Sequence, residues 1–118
     1  MPQGKKFDTE KLRMDLIPPA VFEELADVLG MGADKYGPYN WHLGVKFSRL
    51  YAATLRHLVL WWEGEDLDCE SGLSHVSHAM CNLAFLAQFI SEGRGELDDR
   101  NKMYGAELTC CVKDIPGS

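Results

Sequence analysis

The stretch from Arg56 to Asn82 combines histidines and carboxylates at a spacing that could support chemistry. Three of the four histidines of the chain lie in it, on either side of an acidic segment: His57, His75 and His78. The carboxylates between them are Glu63, Glu65, Asp66, Asp68 and Glu70. Imidazoles and carboxylates bind divalent metal ions, and an imidazole exchanges protons near neutral pH. If the flanking segments are helices that pack antiparallel, these groups converge at one bundle end and form a site for a divalent metal or for phosphate.

His75, His78 and Asn82 are spaced i, i+3 and i+7, which places them on one face of a helix. Two imidazoles one turn apart can share a metal ion or bind an oxyanion. With oxygen ligands from the acidic segment, the predicted metal ligands are Glu65, Asp68, His75 and His78, a set we assign to Mg²⁺ or Mn²⁺. The predicted catalytic residues are His57, Glu65, His75 and His78. The alternatives are capped or partly exposed histidines near a helix start and a solvated acidic turn.

Basic and aromatic residues before and within this stretch are of the types that bind a nucleotide. Basic side chains could neutralise a polyphosphate, and an arginine does so through a two-pronged grip. Aromatic side chains could stack on a base, and an asparagine could bond to its edge. The predicted substrate-binding residues are therefore Lys35, Tyr36, Asn40, Trp41, Arg49, Arg56 and Asn82. The alternatives are basic residues paired with nearby acids, aromatic residues of the core and an asparagine that caps a loop.

The length, net charge and cysteine content of the chain limit the class of protein to which it can belong. Its 118 residues suffice for one domain with a modest core, to which self-association would add. A net charge of -6 argues against a nucleic-acid polymer as partner, since such binders carry a basic face. None of the four cysteines forms a C-x-x-C pair, and no apolar run reaches the length of a membrane span or signal peptide. We therefore expect a reducing, cytoplasmic setting.

Hydrophobic periodicity predicts an all-α fold that positions these residues. A first helix is expected over residues 19–31, ended by Gly30 and Gly32, and an aromatic loop over residues 33–45. A second helix is expected over residues 47–63, with Ser48 as a possible cap and Gly64 as its stop. The third and central helix starts at Ser71 or Ser74 and runs to about residue 92. Residues 1–93 would form the nucleotide-binding domain and residues 94–118 an irregular arm or tail.

Three strings of this sequence resemble a known family: RMDLIPP, GADKYGPYNW and RHLVLWWEGEDLDCESGLSHVSHAMCNLAFL. They are similar to the phage and prophage family described as dATP/dGTP diphosphohydrolase, N-terminal domain, over about residues 7–90. The resemblance implies a small MazG-like helical bundle that is metal-dependent and forms a homodimer or homotetramer. It also implies hydrolysis of dGTP or dATP to the monophosphate and pyrophosphate, in the host cytoplasm if a phage encodes the chain.

One position departs from the MazG-like pattern. Enzymes of that type bind Mg²⁺ through glutamates on one helix and an E-x-x-D pair on the next, where this chain has His75-x-x-His78. The set of Glu23, Glu24 and Asp27 is only loosely similar to the first group. A second hypothesis is therefore a non-catalytic phage protein that binds and sequesters a nucleotide or nucleotide-derived signal. A third is a structural phage protein whose helices serve assembly.

Overall fold

The computed structural model describes residue 4 and residues 9–100, and in this part the chain is all-α, which confirms the predicted fold class. Its three long helices are α1 at Pro19–Tyr36, α2 at Phe47–Trp62 and α3 at His75–Ser91. Short 3-10 turns precede α1, join α1 to α2 and follow α3, at Met14–Leu16, Asn40–Leu43 and Gly95–Leu97. An isolated antiparallel bridge joins Leu67 to Ser74, and the described residues contain no strand.

Helix α1 is longer than the sequence predicts. The prediction that Gly30 and Gly32 end it is wrong, because the helix continues to Tyr36 and stops before Gly37, whose φ of 94° favours glycine. A glycine inside a helix costs only about 0.5–1 kcal/mol relative to alanine. Val28 of the same helix is buried, and both interior glycines line a cavity against the other helices. Packing of the helix as a whole therefore offsets the local preference to stop.

Helix α2 has the predicted bounds to within one residue, but its start is stabilised differently. Lys46 precedes the helix and gives no side-chain cap, and the expected cap by Ser48 is wrong. Instead the Asp99 carboxylate accepts hydrogen bonds from the Ser48 backbone N–H, at 2.9 Å, and from its hydroxyl. Carboxylates are favoured at helix N-termini, where backbone N–H groups lack partners. A residue 51 positions away thus supplies the cap.

Helix α3 is central, as predicted, since both α2 and α1 pack against it. Ser74 is its N-cap and accepts hydrogen bonds from the backbone N–H groups of Val76 and Ser77. The buried hydrophobic cluster joins the start of α2 to the end of α3 and consists of Phe47, Leu50, Phe89 and Leu97. Trp41, Val45, Phe85 and Leu86 pack against it.

The segment that follows α3 takes part in this core over its described length. Leu97 is buried, and the Arg94 guanidinium donates hydrogen bonds to the carbonyl oxygens of His42 and Leu43 at 2.7 and 3.3 Å. The remainder of the predicted arm, residues 101–118, lies outside the described residues. In the described part of the chain, no helix is both long and apolar enough to cross a membrane.

Candidate functional site

The packing of α2 against α3 brings His57, His75 and His78 into contact. Nδ1 of His57 lies 2.9 Å from Nδ1 of His75, within hydrogen-bond distance. The rings of His57 and His78 are stacked almost parallel, with centroids 4.6 Å apart and planes 4° apart. His75 is completely buried, whereas the other two rings are partly exposed. The three predicted imidazoles therefore form one cluster at the start of α3.

Two carboxylates of the acidic segment bond to this cluster. Oε2 of Glu65 lies 2.6 Å from Nε2 of His75. Oδ2 of Asp68 accepts hydrogen bonds from the backbone N–H and the hydroxyl of Ser71, at 3.1 and 2.9 Å. The same hydroxyl oxygen lies 2.7 Å from Nε2 of His78. Each acid is thus the end of a hydrogen-bonded chain that leads to an imidazole.

Backbone hydrogen bonds give the acidic segment a defined shape. The Asp68 N–H donates to the Leu73 carbonyl at 2.8 Å, and the Gly72 N–H returns to the Asp68 carbonyl at 2.7 Å. The His75 N–H donates to the Asp66 carbonyl at 3.0 Å. Positive φ angles at Gly64 and Gly72 turn the chain at both ends of the segment. A closed turn therefore holds Glu65 and Asp68 beside the histidines.

The surroundings of the cluster shift its proton affinities. Burial lowers the pKa of His57 below its ordinary value, and nearby His78 and His75 lower it further. Burial also lowers the pKa of His78, against the opposing effect of Asp68. For Asp68, burial raises the pKa, but the hydrogen bonds from Ser71 outweigh it and the net pKa is lowered. At neutral pH, His57 and His78 are therefore neutral imidazoles, able to accept a proton.

A cavity of about 660 Å³ extends from the histidine cluster to the aromatic connection between α1 and α2. Its lining includes His57, His78 and Asn82 of α2 and α3. It also includes Tyr36, Tyr39, Asn40 and Trp41, from the end of α1 and the connection to α2. Its volume lies in the range of small-molecule pockets. The structure thus brings the predicted base-binding residues Tyr36, Asn40 and Trp41 to the same space as two of the predicted histidines.

A second cavity of about 330 Å³ adjoins the first, and Val45, Ala53, Asn82 and Phe85 line both. Arg49 and Arg56 line only the second. The side chain of neither arginine forms an ion pair or a hydrogen bond with the described part of the chain. Their charges are therefore available to an anion in this cavity.

Other predicted residues lie farther from the cavities. Lys35 lines neither of them, and its Nζ lies over the ring of Tyr36 at 5.3 Å from the centroid. Glu24, one of the three acids that are loosely similar to the first MazG-type group, accepts a hydrogen bond from the Ser77 hydroxyl and so links α1 to α3. Trp41 stacks on Phe85 at 5.6 Å, which leaves only one of its faces for a ligand.

The histidines of the predicted metal site do not fit a metal ion in this arrangement. Both ring nitrogens of His75 are hydrogen-bonded, and Nε2 of His78 faces Ser71. The rings of His57 and His78 lie in planes only 4° apart, so the lone pairs in those planes do not converge on one point. Across the described residues, no group of three or more histidine, cysteine or acidic side chains is arranged to hold a metal.

Glu65 and Asp68, the two carboxylates of the predicted metal site, are better suited to bind a metal ion than its histidines. The hydrogen bonds of Glu65 and Asp68 all use one oxygen each, Oε2 and Oδ2. Their second oxygens have no hydrogen bond to the described residues. Mg²⁺ is commonly held by one or two carboxylates together with substrate phosphates, without a complete protein cage.

Ser71 is a contact that sequence reasoning missed, since it was considered only as a helix start. The Asp68-x-x-Ser71 spacing is typical of a side-chain-stabilised turn and could have indicated the bond between these two residues. No local signal indicates its bond to His78, which depends on where α3 begins.

Cys81 also lines the larger cavity. It is buried, which raises the pKa of its thiol to about 11 and leaves it unreactive.

The lowered pKa values of His57 and His78 predict that the protein loses stability on acidification. An unfolded histidine has a pKa of about 6.5. Between that value and the lower folded value, the unfolded chain binds more protons, so the free energy of unfolding falls as pH falls. We expect the Tm to be highest above about pH 7 and to decrease toward about pH 5. Thermal unfolding across this range measures the effect.

His57→Gln is expected to reduce this pH dependence, because the position then no longer titrates. The matched control is His42→Gln, at an exposed histidine outside the cluster. A Tm that depends on pH as strongly in His57→Gln as in the unsubstituted chain would contradict the assignment.

Comparison with known proteins shows to which family the chain belongs. A family model described as dATP/dGTP diphosphohydrolase, N-terminal, matches residues 1–100. A protein of Salmonella phage PMBT28, named dATP/dGTP diphosphohydrolase, is 41% identical over 97 residues. This alignment covers 82% of the chain but 33% of the relative, so the chain spans about a third of the length of the relative. No solved structure matches the chain.

Proposed function

The chain belongs to the dATP/dGTP diphosphohydrolase N-terminal family, and on that premise we propose that it hydrolyses dGTP or dATP to the monophosphate and pyrophosphate. The observation that carries this proposal is the pair of adjoining cavities. One is lined by aromatic residues and two histidines, and the other is lined by two arginines whose guanidinium groups have no partner among the described residues. A nucleoside triphosphate has the matching parts: an aromatic base, a sugar and a polyanionic tail.

The larger cavity would hold the nucleoside. Tyr36 and the open face of Trp41 offer stacking surfaces, and Asn40 offers both a donor and an acceptor to a base edge. A purine with its sugar fits within a volume of about 660 Å³. Asn82 lies on the wall common to both cavities, where the sugar or the first phosphate would pass.

The smaller cavity would hold the phosphates. Arg49 and Arg56 are two turns apart on α2, so their guanidinium groups can bind neighbouring phosphates through paired hydrogen bonds. Lys35 stays in the proposal as a more distant cation, since its side chain is exposed and its Nζ lies over the ring of Tyr36, which lines the larger cavity. The mildly acidic chain would in this way bind an anion through a local concentration of positive charge.

We propose Mg²⁺ or Mn²⁺ as the metal, held by Glu65 and Asp68 beside the histidine cluster and outside the lining of both cavities. The support is chemical. Each carboxylate has one oxygen without a hydrogen bond to the described residues, and hard cations of this kind prefer oxygen ligands. An ion bound there would neutralise part of the negative charge of the phosphates. His75 and His78 are retained as site residues through their hydrogen bonds and not as ligands.

Incubation of the protein with dGTP and either Mg²⁺ or Mn²⁺ tests the activity directly. We expect release of equal amounts of dGMP and pyrophosphate, resolved by anion-exchange chromatography, with loss of activity when a chelator is added. Release of inorganic phosphate without pyrophosphate would contradict cleavage at the α-phosphorus. dATP and a pyrimidine triphosphate serve as the comparison substrates.

Sequestration of a nucleotide without cleavage is the second candidate function. The observation that favours it is that no carboxylate lines either cavity and that the histidines are hydrogen-bonded to protein groups. Recovery of intact dGTP from a tight complex after heat denaturation, with no pyrophosphate formed, would support this candidate over hydrolysis.

We also propose that the domain is a MazG-like bundle completed by a second copy of the chain, as a homodimer or homotetramer. The support is an exposed apolar stripe on α2, made of Tyr51, Leu55, Leu58, Val59 and Trp62. These residues follow one another at helical spacing, and Trp62 is 81% exposed. Exposed patches of this kind usually mark an interface.

For the setting, we propose the cytoplasm of the host cell if the chain is phage-encoded. The described cysteines, Cys69 and Cys81, are free thiols, which suits a reducing compartment.

A further inference from the structure

The hydrogen-bonded chain from Glu65 through His75 to His57 determines which ring nitrogens carry protons. A carboxylate only accepts hydrogen bonds, so the Glu65 contact at 2.6 Å requires the proton on Nε2 of His75. In its neutral form, His75 then has a bare Nδ1, which accepts from Nδ1–H of His57 across 2.9 Å. Neutral His57 therefore has its remaining lone pair on Nε2.

The position of His57 gives that lone pair access to substrate. His57 lines the larger cavity, and its Nδ1 is directed at the completely buried ring of His75. Within the described residues, Nε2 has no hydrogen-bond partner, so it is the nitrogen available to a ligand or to water.

The neighbouring histidine is held in a different way. The Ser71 hydroxyl donates to Asp68, so its oxygen accepts from Nε2–H of His78. His78 is thereby fixed by a serine turn at the stacked face of His57, with ring planes 4° apart. The ring of His78 restricts rotation of the His57 ring. The hydrogen bond from His57 to His75 therefore determines which nitrogen of His57 carries the proton.

We propose that His57 is the general base of the hydrolysis and that His75 and Glu65 are positioning residues that keep its Nε2 unprotonated. The proposal rests on the proposed function. As the oxygen of a water molecule forms its bond to the α-phosphorus, Nε2 accepts a proton of that water. The bond from the α-phosphorus to the bridging oxygen breaks, and pyrophosphate leaves with its electron pair.

The chain stabilises the charge that this step creates. Protonated His57 donates through Nδ1–H to His75, which donates through Nε2–H to the Glu65 carboxylate, so the new positive charge is connected to a negative one. An aspartate stabilises the imidazolium of a serine-protease triad in the same way, with one imidazole fewer. Release of the proton from Nε2 to solvent restores the starting state.

Two readouts test this assignment separately from overall activity. ¹⁵N chemical shifts of the histidine rings, recorded above neutral pH, distinguish a protonated ring nitrogen from a bare one. We expect a proton on Nδ1 and none on Nε2 of His57, and the reverse for His75. In Glu65→Gln, whose amide both donates and accepts, we expect His57 to become a mixture of the two forms.

The kinetic readout uses His57→Ala and Glu65→Gln, with Glu70→Gln as the matched control at an exposed acid of the same turn. His57→Ala is expected to lower kcat by about 10²–10⁴-fold, and added imidazole is expected to restore part of the rate. Glu65→Gln is expected to lower kcat by about 10–100-fold, as for other groups that orient a functional imidazole. Because Glu65 is also a proposed metal ligand, the assay is made at saturating Mg²⁺, and the ring shifts assign the loss to the imidazole. Glu70→Gln is expected to match the unsubstituted chain.

The outcomes separate the two proposals. If the protein releases pyrophosphate but the proton lies on Nε2 of His57, or His57→Ala keeps more than half of the rate, the assignment of the base is overturned and the hydrolase function stands. If His57→Ala does not fold, Glu65→Gln with the ring shifts gives the decision. If no nucleotide is cleaved, the proposed function fails, and the role of His57 as a base fails with it.

Discussion

Replacement of both Arg49 and Arg56 by alanine is expected to lower kcat/KM for dGTP by about 10²–10⁴-fold. A hydrogen bond to a charged group contributes about 1.5–3 kcal/mol, and each 1.36 kcal/mol corresponds to about a factor of ten. Each arginine would therefore account for about 10–100-fold. The measurement is steady-state release of pyrophosphate at several dGTP concentrations.

The two arginines are good targets because they serve no visible structural purpose. Both are exposed, and neither guanidinium is bonded to a protein group in the part of the chain that the structure describes. We therefore expect the Tm of the double variant to stay close to that of the unsubstituted protein. A protein with Arg56→Lys is expected to lose less kcat/KM than one with Arg56→Ala, since lysine keeps the charge but lacks the two-pronged geometry.

Arg13→Ala is the matched control for this experiment. Arg13 is also exposed but forms an ion pair with Asp15 at 2.7 Å, away from both cavities. It is expected to leave kcat/KM unchanged. Equal losses in Arg13→Ala and in the double variant would reflect overall charge and would contradict a phosphate site at Arg49 and Arg56.

Trp62→Glu is expected to convert the proposed dimer or tetramer into a smaller species. A buried aromatic anchor contributes strongly to an interface, and a carboxylate in its place would have to be desolvated without a partner. Trp62 is the most exposed member of the apolar stripe on α2. Light scattering coupled to size-exclusion chromatography measures the molar mass of both proteins.

Leu12→Glu provides the comparison for this substitution. Leu12 is 85% exposed but lies outside the stripe, before the first helix. It is expected to leave the molar mass unchanged. A monomeric mass for the unsubstituted chain at all concentrations, or an unchanged assembly in Trp62→Glu, would refute the proposed association through α2.

Local sequence signals determined the class of the fold and most element bounds. Hydrophobic spacing and nearby turn residues predict α2 to within one residue, with Gly64 as its stop, and the end of α3 to within one residue. For the start of α3 they leave Ser71 and Ser74 open, and the structure has Ser74 as the cap. They work because helix formation and capping depend on residues within about one turn of each other. The i, i+3, i+7 face of His75, His78 and Asn82 follows from the same regularity.

Tertiary packing decided what these local signals leave open. It extended α1 through Gly30 and Gly32, and it supplied Asp99 as the cap of α2 from the far end of the described chain. The residue types of the cluster were predictable, but the partners of each ring nitrogen were not. Hydrogen bonds between side chains 18 residues apart, as for His57 and His75, exist only once the helices are packed, and those bonds assign the protons.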